Sequence, residues 1–179
     1  MRVRKLVPID NLTPQQIDSV RMRASDELLA QAQRKGFSPT DMIVRDLLPY
    51  TDLAVTGATT GAVDIWNTPA LTAVTSTVWV NRQILDNQFV AIYGVAIEDP
   101  NPSIKTVTLM VGTASTHAIW NLQEILACMT TVGISEEFMI WRAQDVVRVT
   151  ALPQFTKAGG DFIQLMGIIC EPRSQVLTR

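Results

Sequence analysis

The chain has few of the residues that carry most enzyme chemistry. Its 179 residues include one histidine, two cysteines and 18% charged residues, below the roughly 25% typical of soluble domains. One histidine cannot supply a cupin-type metal site, which needs several. Two cysteines make no disulfide framework, and the net charge of −2 gives no bulk attraction for nucleic acid. We therefore expect no enzymatic activity, no cofactor and no specific nucleic-acid partner.

Long apolar segments are also missing. The charged residues at the N-terminus are not followed by an apolar h-region, so we expect no secretory signal. The longest apolar stretches, such as Phe89–Ile97, are too short to span a bilayer. The length predicts one domain. Cys128 and Cys170 are expected to be two separate buried thiols, and a bonded pair is the alternative.

A repeated strand pattern occupies residues 52–171. Short alternating runs rich in Thr and Val are separated by turn signals, as in a β-barrel or β-sandwich. Phe89–Ile97 is apolar on both faces, so this strand should be central or covered by a helix or a partner. Strands are expected near 53–56, 62–66, 71–80, 89–97, 104–112, 118–122, 138–143, 146–152 and 162–170. The pattern predicts a mainly β fold, a single eight-stranded jelly roll with an N-terminal α-helix, and an up-and-down barrel is the alternative.

Residues 13–49 are predicted to be helical. Thr13 is placed as an N-cap, followed by Pro14 at the first helical position and Gln16 three residues after the cap. An apolar stripe at helical spacing follows, and Gly36 is a plausible stop. A second short helix is predicted over 42–48 after a capping signal at 38–41, and a strand there is the alternative. Residues 123–129 fit a helical turn between strands.

Residues 55–61 form the most prominent motif. Their sequence, Val-Thr-Gly-Ala-Thr-Thr-Gly, resembles the cofactor loop of short-chain dehydrogenases, whose glycines let the backbone approach a pyrophosphate. Val63 occupies the third glycine position of that pattern, and neither Tyr50 nor Tyr93 has a lysine four residues later. We interpret the segment as a Gly-rich β-turn.

The other candidate reactive side chains are isolated in sequence. Ser115 and His117 would need a distant acid to form a triad, and no Gly-x-Ser-x-Gly pattern surrounds Ser115. His117 is interpreted as a loop or strand-edge residue. Glu136 and Glu137 are interpreted as a solvated turn. The tryptophans are expected to anchor the core and subunit contacts; they are Trp66, Trp79, Trp120 and Trp141.

A basic, partly apolar arm opens the chain. Arg2, Arg4 and Lys5 lie among apolar residues, including Leu6, Val7 and Ile9, within positions 1–12. One interpretation is a frayed terminus. The other is a tail that contacts a neighbouring subunit or anionic lipid headgroups through these three residues. From the second interpretation we hypothesise that residues 1–36 contribute more to assembly than to the fold.

The layout as a whole resembles a family of viral coat proteins. A basic arm (1–12), a helical segment (13–49) and a compact β domain (50–179) are similar in order to the small coat proteins of icosahedral viruses with an internal membrane. The match we identify is with the single vertical jelly-roll capsid proteins of the sphaerolipovirus-like group, which includes phages of thermophilic bacteria. The resemblance lies in the layout and covers most of the chain.

The resemblance implies a structural virion protein. Copies would associate into homodimers or larger capsomers and assemble with a second, larger coat protein into an icosahedral shell around a membrane. The inner end would face lipid, and the protein would lie in the host cytoplasm before it enters the virion. Two other classes stay open: a jelly-roll module that binds a carbohydrate or receptor through exposed tryptophans, and, third, an enzyme that uses His117 and Glu136.

Overall fold

The fold is mainly β, as predicted. A computed structural model of the chain describes residues 5–55 and 65–176. In these residues the strands are β1 (Leu6–Pro8), β2 (Met42–Asp46), β3 (Thr77–Gln83), β4 (Phe89–Ile97), β5 (Ile104–Val111), β6 (Ser115–Asn121), β7 (Val132–Trp141), β8 (Val146–Pro153) and β9 (Ile163–Pro172). The helices are α1 (Pro14–Arg34), α2 (Pro49–Leu53), α3 (Leu122–Ala127) and α4 (Arg173–Val176).

The strands form two antiparallel sheets that pack face to face. One sheet has five strands in the order β1-β7-β4-β9-β2, and the other has four in the order β3-β8-β5-β6. The main core lies between them and is built around large buried side chains, including Trp79, Trp120 and Trp141. Helix α1 lies on the outer face of the five-stranded sheet. The molecule therefore has three layers, with one helix and two sheets.

Helix α1 begins and ends where local signals predict. The Thr13 hydroxyl accepts a hydrogen bond from the Gln16 amide at 3.3 Å, and the Gln16 side chain accepts one from the Thr13 amide at 2.8 Å. This reciprocal capping box satisfies two amides that the first turn would otherwise leave unpaired. The helix ends at Arg34, and Gly36 adopts a φ of +91° that favours glycine.

Strand β4 is apolar on both faces because both faces are covered. Val90 and Ile92 point into the core between the sheets, whereas Ala91 and Tyr93 belong to a second apolar cluster. That cluster also contains the buried stripe of α1: Val20, Ala24, Leu28 and Ala32. The sequence left open whether a helix or a partner covers Phe89–Ile97. In the structure, helix α1 covers it. Helix α1 is therefore part of the fold and contributes to folding through its buried stripe; a role of residues 1–36 in assembly stays a prediction.

Two local predictions between Ser38 and Thr56 are wrong. The second helix is absent: a 3-10 turn at Pro39–Asp41 is followed by β2, which pairs with β9 from Met42↔Pro172 to Asp46↔Ile168. Ladder pairing and burial override the capping signal there. The strand expected at 53–56 is wrong as well, because Leu53 is the last residue of α2 and Ala54 is its C-cap. The alternative strand at 42–48 and the helical turn near α3 are confirmed.

The strand count and some bounds also differ from the prediction. The described residues contain nine strands rather than eight, since part of the predicted arm forms β1. Strand β7 begins at Val132, six residues before the predicted start, and β3 begins only at Thr77. Residues 56–64 lie outside the described part of the chain. They include most of the Gly-rich motif and most of the predicted strand 62–66.

Candidate functional site

The basic arm is joined to the fold from Leu6 onward. Arg2 and Arg4 lie outside the described residues, and Lys5 is exposed. Leu6 is 1% exposed, belongs to the main core and pairs with Ser135 of β7. Lys5 lies on the rim of a surface groove of about 520 Å³ that also includes Glu124 of α3. Lys5 is therefore available for an outside contact while the next residue is anchored.

Glu136 and Glu137 lie in a bulge of β7 rather than in a turn between strands. Ile92 of β4 pairs with Met139 and Gly94 pairs with Ile134, so four residues of β7 pass a single residue of β4. Both glutamates are exposed, as predicted. They line a groove of about 500 Å³ between β7 and α1, where the Arg23 guanidinium donates a 3.3 Å hydrogen bond to the Glu136 carbonyl.

His117 lies on the edge strand β6, as one of its two interpretations predicted. Its ring packs edge-on against Trp141, with ring centroids 5.4 Å apart. Ser115, His117 and Asp145 line one groove of about 600 Å³. Within the described residues, the Ser115 hydroxyl makes no hydrogen bond. The shared groove therefore does not place Ser115 in a hydrogen-bonded triad with His117 and Asp145.

All four tryptophans are buried. Trp66 is 5% exposed and the other three are fully buried. The Trp141 indole donates to the Met110 carbonyl at 2.8 Å, and the Trp79 indole donates to the Asn67 carbonyl at 3.2 Å. The prediction that tryptophans anchor the core is confirmed. A sugar-binding surface of exposed, coplanar tryptophans is not available in this fold.

The two cysteines are free, which confirms separate thiols over a bonded pair. Cys170 is buried, and its burial, with a smaller effect of neighbouring Glu171, raises the pKa of its thiol to about 11. A thiol that stays protonated at neutral pH is a poor nucleophile. Cys128 is exposed, so the prediction of two buried thiols is wrong for this residue.

A buried ionic cluster, the Arg45 cluster, joins three segments. The Arg45 guanidinium contacts both carboxylate oxygens of Asp52 at 2.7 Å and Glu171 Oε1 at 2.6 Å. Glu171 Oε2 accepts a 2.8 Å hydrogen bond from Gln88. Burial lowers the pKa of Arg45, but hydrogen bonds and attraction to Asp52 and Glu171 outweigh it and raise the pKa. The cluster fixes β2, α2 and β9 relative to one another.

A second cluster, the Asp161 cluster, lies at the end of the sandwich where the long loops meet. Asp161 Oδ2 accepts hydrogen bonds from the amides of Ser103 and Ile104, both at 2.8 Å. The Lys157 ammonium contacts Asp161 Oδ1 at 2.9 Å and Asp99 Oδ2 at 2.6 Å. Neither cluster was predicted from the sequence, because each one joins different segments of the chain and its members form no motif. Each cluster is internally paired, so we interpret both as structural.

The outer face of the four-stranded sheet is a regular surface that no described element covers. Its half-exposed side chains alternate with buried ones along β5 and β8. The strand register aligns them across the sheet, for example Val78–Thr150–Thr108–Ile119. A surface made mostly of threonine and apolar side chains is suited to contact with another protein surface rather than to chemistry.

The comparisons with known proteins give no assignment. No protein-family model matches the chain, and no curated protein matches its sequence. No group of His, Cys, Asp and Glu in residues 5–55 and 65–176 is placed to hold a metal ion. Across the same residues, no helix is both long enough and apolar enough to cross a membrane. The geometry described above leaves three candidate contact surfaces: the uncovered sheet face, the exposed bulge of β7 and the surface around Lys5.

Proposed function

We propose that this chain is a structural coat subunit with a jelly-roll fold. The strand order is the observation that carries the proposal. If the eight strands β2 to β9 are lettered B to I along the chain, the two sheets read B-I-D-G and C-H-E-F. A double-sheet jelly roll built from two Greek keys, a fold common in viral capsids, would have this order, so the order supports the proposal. Strand β1 is an addition at the G edge.

The surface chemistry supports an assembly role over catalysis. The buried carboxylates Asp52, Asp161 and Glu171 are paired within structural clusters, and burial raises the pKa of the Cys170 thiol. The uncovered sheet face has few charged side chains, as the central part of a protein interface does. In this proposal, copies associate with one another and with a second, larger coat protein around an internal membrane. Arg2, Arg4 and Lys5 contact anionic lipid or a neighbouring subunit, and the mature location is the virion.

Association of the purified chain is the direct test. We expect light scattering after size exclusion to show a defined oligomer whose population grows with protein concentration. Negative-stain electron microscopy at high concentration, with and without anionic lipid vesicles, should then show ring-shaped or sheet-like assemblies. A chain that stays monomeric under all of these conditions would contradict the proposal.

Lipid contact through the arm has its own experiment. Replacing Arg2, Arg4 and Lys5 by alanine should weaken cosedimentation with anionic vesicles, because each basic residue near such a surface contributes about 1 kcal/mol. Replacing three basic residues elsewhere, Arg82, Arg142 and Arg173, is the matched control and should have a smaller effect. Equal losses in the two triple variants would show that net charge, and not the arm, determines binding.

A further inference from the structure

The two outer surfaces of the three-layer fold are opposite in charge. None of the four strands of the four-stranded sheet contains Asp or Glu, whereas Arg148 shares the outer face of this sheet with Thr150. Arg148 lies on the inner strand β8, between Asn81 and Met110 in the sheet register. No described residue forms an ion pair with it. The uncovered sheet face therefore has, on an inner strand, a cation with no ion-pair partner among the described residues.

The solvent face of α1, on the other side of the molecule, is acidic. Asp18, Met22 and Asp26 follow one another at intervals of four residues, opposite the buried stripe of the helix. Met22 is 65% exposed, and neither aspartate has an ion-pair partner among the described residues. The helix's three arginines lie on its flanks, where Arg21 and Arg34 pair with acidic side chains and Arg23 donates to a backbone carbonyl.

From this complementarity we propose that a second copy of the chain covers the four-stranded sheet. The solvent face of α1 from one copy packs on the outer face of the sheet of the next copy. Asp18 and Asp26 then lie near Arg148, and Met22 contacts the apolar side chains around it, such as Met110. The arrangement repeats between chains the helix-on-sheet packing that α1 already makes within its own chain.

The charge pattern selects a head-to-tail contact over a two-fold contact between equal faces. If two copies of the sheet face met, the Arg148 side chains would approach each other, and no acidic residue of either sheet would compensate them. A head-to-tail contact instead uses two different surfaces of each copy, so it continues from subunit to subunit into a ring or a filament. This inference rests on the self-association proposed above and names the surfaces that make it.

A charge-exchange experiment tests the contact. Arg148→Glu makes both surfaces acidic, and Asp18→Lys with Asp26→Lys makes both basic. We expect each variant alone to associate at least about tenfold more weakly than the wild type in sedimentation velocity, as for close interfacial charge pairs. An equimolar mixture of the two variants should recover association, because each basic surface then meets an acidic one. Arg173→Glu and Asp86→Lys are exposed controls outside both surfaces and should behave as the wild type.

The outcomes separate this contact from the general proposal. If the wild type associates and both charge variants associate equally well, the contact is wrong while self-association stands. If each variant is weakened but their mixture does not recover, the head-to-tail pairing is overturned. A wild type that stays monomeric overturns the contact and the self-association together. Met22→Lys, at a helix position that is 65% exposed, gives an independent variant if a charge reversal lowers thermal stability. Unchanged association in this folded variant also contradicts the contact.

Discussion

Asp161 accepts two hydrogen bonds from Ser103 through a single carboxylate oxygen. Asp161 Oδ2 lies 2.8 Å from the Ser103 amide nitrogen and 2.9 Å from its hydroxyl oxygen. Asp161 precedes β9 and Ser103 precedes β5, so the pair joins two loops that are 58 residues apart in sequence. Both residues are fully buried. A buried carboxylate that accepts this many bonds organises the whole end of the sandwich.

Replacing Asp161 should therefore destabilise the protein strongly. Asp161→Asn puts an amide group where several donors already converge and leaves buried N–H groups unpaired. We expect the free energy of unfolding to fall by about 2–4 kcal/mol, measured by urea denaturation. Ser103→Ala removes only one donor and should cost about 1 kcal/mol. If Asp161→Asn costs no more than Ser103→Ala, the carboxylate does not organise this end.

The acid limit of stability should depend on Asp99. Burial tends to raise the pKa of this carboxyl, but hydrogen bonds from Lys157 and from two backbone amides outweigh it and hold the pKa below 3.8. A carboxyl whose folded pKa is lowered stabilises the fold above its unfolded pKa, and this contribution is lost as the pH falls through the folded pKa. Asp99→Asn should thus reduce stability at pH 7 and flatten its decline below about pH 4.

Lys157 should limit the stability of the fold at alkaline pH. Hydrogen bonds to Asp99 and Asp161 outweigh burial and raise the pKa of its ammonium above 10.5. Its contribution is present below the unfolded pKa and is lost as the pH rises through the folded pKa. Chemical denaturation from pH 2 to pH 11 would measure the loss of folding stability at the acid end and its onset at the alkaline end. An Asp99→Asn variant that declines in acid as steeply as the wild type would contradict the assignment.

Two Arg–Asp pairs of different burial offer a matched comparison. Arg45 contacts Asp52 and Glu171, both buried, whereas Arg21 contacts Asp46 at 2.8 Å with both side chains more than half exposed. Arg45→Met leaves two buried carboxylates without their cation, so we expect a loss of about 3–5 kcal/mol. Arg21→Met should cost no more than about 1 kcal/mol. Thermal unfolding of both variants measures the difference, and similar losses would refute the role of burial.

The junction between arm and fold should lie between Lys5 and Leu6. Leu6 is buried beside Gly133, where an added Cβ would be 3.2 Å from Leu6 Cβ. Leu6→Ala should therefore cost about 2–5 kcal/mol as a core truncation. Lys5→Ala should leave the melting temperature unchanged because the side chain is exposed.

Deletion of residues 1–5 should likewise preserve the fold, whereas deletion of residues 1–9 should not, because it removes β1. A stable 1–9 deletion would show that β1 is dispensable.

Sequence patterns were sufficient where a structure depends on neighbours in the chain. The capping box at Thr13 and Gln16, the apolar stripe of α1 and the alternation along β5 all reflect local geometry, and all are present. The same kind of signal failed at Pro39–Asp41, where a cap-like sequence precedes β2. That segment pairs with β9, more than 120 residues later, and the ladder outweighs a local preference of a few tenths of a kcal/mol.

The sequence by itself determined the mainly β class, the first helix and the burial of the tryptophans, because composition and periodicity act over a few residues. Only the tertiary structure decided that α1 covers β4, that Arg45 meets Asp52 and Glu171, and that no described element covers the outer face of the four-stranded sheet. These outcomes depend on long-range pairing, which sets which surfaces meet and which charges must compensate each other. The spacing of residues along the chain does not indicate which distant segments will pair.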